Sequence, residues 1–290
     1  MKHITHRQLV SAYFQACEVD VQAFKPGNVS VYSDGHDMTV EDFRVSAQVS
    51  ADPICNPDYS LGEKIYHAVK QTRSAVGCNT NLGIILLCAP LICAVQKNPK
   101  KLSLQQSLAQ ILKTTTVNDA IWAFRAITLA SPGGLGKSDD QDVKNIPEVN
   151  LTQAMAIAAE KDRIALQYTT NYADVFNFAL LKYNKSFDRF GDRNWAAVAV
   201  FAGLLSRYPD SHIERKYGNQ HSPIVLKTMA VVEAELFSVK KPEHLEAMLY
   251  DIDQDFKAKG INPGTSADMT VATIFVALLR ELAGENCMDI

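Results

Sequence analysis

The chain has no block of like charge and no long apolar segment. Its 29 Lys and Arg residues nearly balance 32 Asp and Glu residues, for a net charge of -3. Proteins that bind nucleic acid or an acidic membrane surface carry a basic face, which this balance disfavours. The longest apolar run, 82–95, is shorter than the ~20 residues of a membrane span. We therefore expect neither nucleic acid nor membrane as a partner.

Cysteine is scarce and shows no pairing pattern. The six cysteines form no CxxC pair and have no regular spacing. Cysteines set within apolar helical patterns are usually small core residues of a reducing compartment. The first seven residues lead into a helix rather than an apolar segment, which predicts no signal peptide. We expect a cytoplasmic protein; the sequence leaves monomer and homo-oligomer equally open.

Strand alternation is also scarce, whereas helical spacing recurs along the whole chain. Capping boxes stand at Thr5 with Gln8, at Ser60 with Glu63 and at Ser103 with Gln106. Apolar periodicity predicts further helices, over 104–113, 117–130, 151–168, 171–187, 194–207, 222–238, 243–258 and 268–283. The pattern predicts an all-α fold, with ten or more helices in a single compact domain over 1–290.

Residues 82–95 are apolar on every side, which is typical of a fully buried helix. The N–H groups at its start would then point towards Asn79, Thr80 and Asn81. A helix start of this kind can bind a phosphate. Alternatively, Asn79 or Thr80 simply caps a core helix; the local sequence leaves both interpretations open.

Four stretches between helices are rich in polar side chains. The first follows a helix that must stop at KPGN (25–28), because proline cannot continue the hydrogen-bond ladder. It contains Lys25, Asn28, Ser30, Ser33, Asp34, His36 and Asp37. Loops between rigid helices often carry binding groups, although a solvated connector has the same composition.

The other polar stretches lie at 77–83, 210–218 and 260–268. In the last of these we expect Thr265 or Ser266 to cap the final helix and Asp268 to lie in its first turn, where a carboxylate suits the helix dipole. The glycine-rich segment 131–140 lacks the spacing of a phosphate-binding P-loop and has no strand before it. It is predicted to be a surface loop or lid.

Taken together, these motifs resemble the triphosphoribosyl-dephospho-CoA synthase family. They read KPGNVS, GHDM, GCNTNLG, PGGLG, DxHxxRKYG and NPGTSAD, in this order from Glu18 to Ala277. The family is all-helical. Its reaction is a glycosyl transfer in which a hydroxyl of dephospho-CoA attacks C1′ of ATP, adenine leaves, and the triphosphate stays on the transferred sugar.

The resemblance implies the following roles. Proton transfer and stabilisation of a ribosyl cation need acids and bases, for which the candidates are Glu18, His36, Asp37 and His212. Mg²⁺ on the triphosphate needs carboxylates, for which the candidates are Asp37, Asp210 and Asp268. Contacts to ATP need cations and hydrogen-bond donors, for which the candidates are Lys25, Asn28, Asn79, Thr80, Asn81, Gly83, Arg215, Lys216, Thr265 and Ser266.

One motif departs from the better-known branch of the family, which reads NTHKG where this chain reads NTNLG at 79–83. The change removes a cation beside the expected triphosphate. The variant resembles a branch associated with tetrahydromethanopterin synthesis, whose product carries an α-linked ribose 5-phosphate. A single displacement inverts C1′, so that a β-configured donor such as ATP would give an α product. A pterin precursor is therefore an alternative acceptor.

Two other classes of protein remain open from sequence. A metal-dependent phosphohydrolase of the His-Asp type would use the adjacent His36 and Asp37 with the distant Asp210 and Asp268. A non-catalytic nucleotide-binding module would use the same polar stretches without turnover.

Overall fold

The computed structural model describes residues 3–98, 102–132 and 145–284. Within these ranges the chain forms fourteen α-helices and no strand. The helices, α1 to α14 in chain order, are His6–Gln22, Val40–Cys55, Leu61–Val76, Leu82–Gln96, Leu104–Lys113, Val117–Ala130, Leu151–Ala158, Arg163–Thr169, Leu180–Phe190, Arg193–Arg207, Ser211–Tyr217, Ser222–Ser238, Glu246–Ala258 and Gly264–Ala283. A π-helical turn, Val175–Ala179, leads into α9, and short 3₁₀ turns precede α12 and α13. The all-α prediction is confirmed.

Local capping chemistry sets many of the helix starts. The predicted capping boxes of α1, α3 and α5 are present, and Thr39 forms another with Asp42 at the start of α2. Each box satisfies backbone N–H groups that have no partner inside the helix. Helix α3 ends at Gly77, whose φ of 73° suits a residue without Cβ.

Three predicted helices have different limits. The expected helix 151–168 is two helices, because Asp162 begins α8 by accepting the N–H groups of Ile164 and Ala165. The expected helix 171–187 starts with the π-helical turn. Helix α14 begins at Gly264 rather than after Thr265 or Ser266. These two hydroxyls bind groups of α11 instead of capping α14.

The core is organised around α4 and α14. Every residue of α4 from Leu82 to Ala94 is buried, and α14 packs against α1, α4 and α10. Cys17, Cys55, Cys88 and Cys93 are buried among these helices as predicted, and burial raises the pKa of the Cys93 thiol to about 11. In the described ranges, no helix combines the length and hydropathy that crossing a membrane requires.

This packing brings three helix ends together. The C-terminal part of α1 lies beside the N-terminal ends of α4 and α14. Three of the four polar stretches seen in the sequence connect or begin these helices. The glycine-rich segment falls mostly outside the described residues, which stop at Pro132 and resume at 145.

Candidate active site

A cleft of about 100 Å³ lies where these helix ends meet, and we call it the α4–α14 cleft. Its wall on α1 and the α1–α2 loop consists of Asp20, Asn28, Val29, Met38 and Phe43, the last from the start of α2. Its opposite wall consists of residues 79–84, His212, Asn262, Gly264, Ala267 and Asp268. The cleft therefore collects side chains from all four polar stretches.

The N-terminal end of α4 supplies free backbone donors. The Oδ1 atom of Asn79 accepts the N–H of Leu82 at 3.2 Å. The N–H groups of Gly83 and Ile84, both in the cleft wall, have no acceptor in the described part of the protein. Free N–H groups at the start of a long helix favour an anion.

The side chains of Thr80 and Asn81 hold this helix end on α2. The hydroxyl of Thr80 donates to Ser46 Oγ at 2.6 Å, and the amide of Asn81 donates to Ser50 Oγ at 3.3 Å. Both side chains are nearly buried. In this arrangement they position the donors of α4.

Asp268 lies directly over the start of α4. A Cβ placed on Gly83 would lie 2.0 Å from Asp268 Oδ2, so only glycine leaves room for the carboxylate. Asp268 makes no hydrogen bond with the described residues. Burial, together with the carboxylates of Asp20 and Asp210, raises its pKa well above the usual value. The site thus holds a carboxyl group that no hydrogen bond of the described residues satisfies.

Asp20 is a second carboxylate of the cleft. It forms a buried ion pair with Lys25, whose Nζ lies 3.0 Å from Asp20 Oδ1 and donates to the Asp20 carbonyl at 2.7 Å. Burial raises the pKa of Asp20 even though Lys25 opposes this shift. Lys25 itself is fully buried and is not part of the cleft wall. Its charge therefore acts on Asp20.

Asp210 is already fully hydrogen-bonded. Its Oδ1 accepts the N–H groups of His212 at 2.9 Å and Ile213 at 3.2 Å, and its Oδ2 accepts the N–H and hydroxyl of Ser266 at 2.7 and 2.8 Å. Thr265 Oγ1 accepts the His212 N–H as well, at 3.1 Å. Asp210, Thr265 and Ser266 thus join α11 to α14.

His212 presents its imidazole to the cleft beside Gly264. Burial and then the nearby charges of Arg215 and Lys216 lower its pKa to about 4. The ring is therefore neutral near neutral pH. Arg215 forms an ion pair with Asp162 at the start of α8, and Lys216 is exposed with its ammonium over the ring of Tyr217.

His36 and Asp37 form the tip of a tight turn, both with positive φ (58° and 59°). Left-handed backbone at two successive residues is the geometry of a type I′ turn, and it is strained for residues other than glycine and asparagine. The His36 ring bonds to the carbonyl of Gly27 at 2.8 Å. Asp37 is exposed at the turn and is not in the cleft wall.

Helix α13 holds this loop from outside the cleft. The fully buried Asp253 accepts the Gly27 N–H at 2.8 Å. Lys257 pairs with Asp253 and donates to the carbonyl and hydroxyl of Ser33. Gly27 is required here because its φ is 85° and an added Cβ would lie 2.9 Å from the Ile261 carbonyl.

Not all of the predicted residues come together. Glu18 lies outside the cleft wall and bonds to Arg44 and Gln22; the hydrogen bonds from Arg44 lower its pKa. Among the described residues, no group of three or more His, Cys, Asp or Glu side chains could hold a metal ion. Asp37, Asp210 and Asp268 therefore do not form a preassembled metal site.

The structure adds site residues that the sequence did not single out. Asp20 and Asn262 line the cleft, and Asp253 and Lys257 support it. Asp20 and Asp253 stand inside helical patterns, where an acidic residue is normally exposed. Asn262 belongs to the NPGTSAD motif, so the motif could have identified it as a candidate site residue.

Comparison with known proteins agrees with the all-helical fold. A structure from Archaeoglobus fulgidus, provisionally assigned as a triphosphoribosyl-dephospho-CoA synthase, has the same fold, with a TM-score of 0.61 at 21% identity. The match covers 80% of this chain and 96% of the archaeal one. No curated protein matches the sequence. Residues 6–287 match the family of ATP:dephospho-CoA triphosphoribosyl transferases (CitG), and the chain belongs to this family of enzymes.

Proposed function

We propose that the α4–α14 cleft binds ATP and transfers its triphosphoribosyl group to a hydroxyl of dephospho-CoA. The acceptor oxygen forms a bond to C1′ of the ribose while the bond from C1′ to adenine N9 breaks. The hydroxyl loses its proton to a base, and the departing adenine gains one. The observation that carries the proposal is the meeting of free helix N–H donors with Asp20, Asp268 and His212 in one cleft.

The triphosphate is assigned to the N-terminal end of α4. The free N–H groups of Gly83 and Ile84 can donate to phosphate oxygens, and the dipole of the fifteen-residue helix favours their negative charge. Leu82 takes the place of a lysine of the better-known branch. Backbone donors therefore carry more of the phosphate binding here; Arg215 and Lys216, whose charges act on His212, follow it on α11.

The residues present fit a magnesium ion held together with the triphosphate. Asp268 has no hydrogen bond to the described residues, and Asp20 lines the same cleft. Mg²⁺ commonly takes one or two protein carboxylates and completes its shell with phosphate oxygens and water, so a three-carboxylate site is not needed. When bound, the ion would neutralise charge on the triphosphate. Asp210 is assigned a positioning role, because four donors already occupy it.

His212 is the best-placed group to receive the hydroxyl proton. Its ring lines the cleft and is neutral, which a proton acceptor requires. A bound triphosphate would raise its pKa from about 4 towards neutrality, since a nearby anion stabilises the imidazolium form. Asp20 and Asp268 can stabilise the positive charge that develops on the ribose as adenine departs. His36 and Asp37 are assigned to shaping the loop over the cleft.

The test is to incubate the protein with Mg²⁺, ATP and dephospho-CoA and to identify both products by chromatography and mass spectrometry. Free adenine and an acceptor heavier by a triphosphoribosyl group are expected. Asp268→Asn should abolish adenine release, whereas Asp251→Asn, on the exposed face of α13, should leave it unchanged. Formation of ADP or AMP without adenine would overturn the proposal.

The acceptor is tested in the same assay. A parallel reaction with a pterin precursor in place of dephospho-CoA asks whether the NTNLG motif goes with a different acceptor. Adenine release that depends on the pterin alone would retain the ribosyl transfer but replace dephospho-CoA as the acceptor.

A further inference from the structure

Two asparagine side chains in the wall of the α4–α14 cleft bond directly to each other. The Nδ2 atom of Asn28 donates to Oδ1 of Asn262 at 2.8 Å. Asn28 is only 7% exposed, and its own Oδ1 has no hydrogen-bond partner. A buried amide oxygen without a donor is costly, so the position calls for a ligand that donates to it.

Both asparagines are held firmly by their backbones. The N–H of Asn28 donates to the Lys25 carbonyl at 3.0 Å, next to the Gly27 bond to Asp253. The carbonyl of Asn262 accepts the Gly264 N–H at 2.8 Å at the start of α14. The two side chains therefore form a bonded pair in the cleft wall, with a buried, unpartnered acceptor on Asn28 and the Nδ2 donors of Asn262.

Apolar side chains accompany this pair. Val29, Met38 and Phe43 line the cleft on the side of the α1–α2 loop. A flat ring could pack against them while its edge meets the two amides. The loop residues of this wall are therefore apolar apart from Asn28, whereas the start of α4 offers backbone donors.

We propose that Asn28 and Asn262 recognise the adenine of the donor nucleotide. Oδ1 of Asn28 accepts from the N6 amino group, and Nδ2 of Asn262 donates to the neighbouring ring nitrogen N7. An amide that accepts from N6 and donates to N7 is the pairing by which proteins read adenine in duplex DNA; here two amides share the task. The inference rests on the proposed function and extends it to the choice of base.

The second contact also bears on the reaction. When the C1′–N9 bond breaks, its electron pair goes to the purine, and a donor at N7 stabilises the charge that develops there. Asn262 then contributes more to the transition state than to the ground state, and its loss should lower kcat more than it raises KM.

The experiment compares ATP with inosine triphosphate and 7-deaza-ATP, measuring purine release. Inosine triphosphate has an acceptor oxygen in place of the N6 amino group, so the wild-type protein should prefer ATP in kcat/KM by at least about 100-fold. In Asn28→Ala this preference should fall to below about 10-fold. In Asn262→Ala the penalty for 7-deaza-ATP should fall to the part that comes from 7-deazaadenine being a poorer leaving group, a part that no variant can remove. Asn118→Ala, an exposed change on α6, should alter neither ratio.

Several outcomes would overturn the inference. Equal kcat/KM for ATP and inosine triphosphate in the wild-type protein would by itself reject the inference, before any variant is measured. Variants that slow all three nucleotides by the same factor show a structural role only. If ATP releases no adenine, the proposed ribosyl transfer is rejected, but adenine recognition can still be tested. Calorimetry then measures the affinities of the wild-type protein for the same three nucleotides. Equal affinities would reject the recognition of adenine by Asn28 and Asn262.

Discussion

Asp268 shows how a single residue can oppose folding and still serve the site. A carboxylate whose pKa is raised in the fold stabilises the protein at low pH and loses that contribution as the pH rises through the raised value. At pH values above the unfolded pKa and without ligand, burial of Asp268 therefore destabilises the folded protein.

We predict that Asp268→Asn unfolds at a higher temperature than the wild-type protein near neutral pH, although it is inactive. The amide fills the same space without a buried charge, a common trade between stability and activity. Differential scanning calorimetry measures this, with Asp251→Asn as the control. A lower melting temperature for Asp268→Asn would contradict the electrostatic account.

The lowered pKa of His212 leads us to predict that its contribution to stability depends on pH with the opposite sign to that of Asp268. Its pKa is about 4 in the fold against 6.5 in the unfolded chain, so the unfolded state binds more protons between these values. Its contribution to stability therefore falls as the pH drops through this window, by roughly 3 kcal/mol over the whole range.

Denaturant unfolding at a series of pH values tests this prediction. His212→Gln should lose less stability than the wild-type protein between about pH 6.5 and about pH 4. The exposed His244→Gln should follow the wild-type curve. Parallel curves for His212→Gln and wild type would be inconsistent with a depressed pKa.

At the scale of the element, the start of α4 depends on a glycine. We predict that Gly83→Ala keeps the helical fold but lowers activity by about 100-fold, because the added methyl group must displace the Asp268 carboxylate. Circular dichroism and the adenine-release assay measure the two effects.

Gly77→Ala is the matched control for this change. The position is open but has positive φ, so alanine should cost about 1 kcal/mol of stability and leave activity intact. Full activity in Gly83→Ala would show that Asp268 is not held where the structure places it.

The α1–α2 loop depends on α13. Lys257→Met removes the ammonium that binds Ser33 and pairs with Asp253, so backbone amides of the loop should exchange hydrogen faster. Lys259→Met, which loses only an exposed pair with Asp255, is the control. Unchanged exchange over 27–38 in Lys257→Met would mean that other contacts hold the loop.

The sequence predicted those parts of the fold that depend on neighbouring residues. Capping boxes act over three residues, and so the starts of α1, α3 and α5 were predicted correctly. The start of α14 was misplaced because Thr265 and Ser266 bind α11, more than fifty positions away along the chain. A sequence pattern that spans only a few residues cannot predict a contact of this kind.

The same distinction holds for the site. The motifs indicated the polar stretches that meet in the cleft, including Asn28, Asn79, His212 and Asp268. They gave no way to tell that Lys25 is buried against Asp20, or that Asp210 is saturated with hydrogen bonds. Burial and hydrogen-bond occupancy follow from tertiary packing, so the roles of Lys25 and Asp210 became assignable only from the structure.

At the scale of the whole molecule, the cleft is small for its proposed ligand. Its volume is about 100 Å³, whereas sites for ligands of this size usually span ~300–1,000 Å³. ATP must therefore widen the cleft or leave part of itself outside. The α1–α2 loop forms one wall, and its left-handed turn at His36 and Asp37, rather than the anchored segment 27–28, is the part expected to move.

We predict that ATP with Mg²⁺ raises the melting temperature of the wild-type protein. A ligand at 100 times its dissociation constant adds about 2.7 kcal/mol to the free energy of unfolding. Thermal shift assays with ATP, with Mg²⁺ alone and with neither provide the comparison. Asp268→Asn should respond less to the combination, and an equal response would remove Asp268 from the binding site.

The position of α14 also has a consequence for biosynthesis. Helix α14 packs against both α1 and α4, so part of the apolar surface of each stays uncovered until α14 has been translated. Nascent chains that lack α14 would expose this apolar surface to chaperones and to one another. Stop codons introduced before α14 should therefore yield aggregates rather than shortened enzymes.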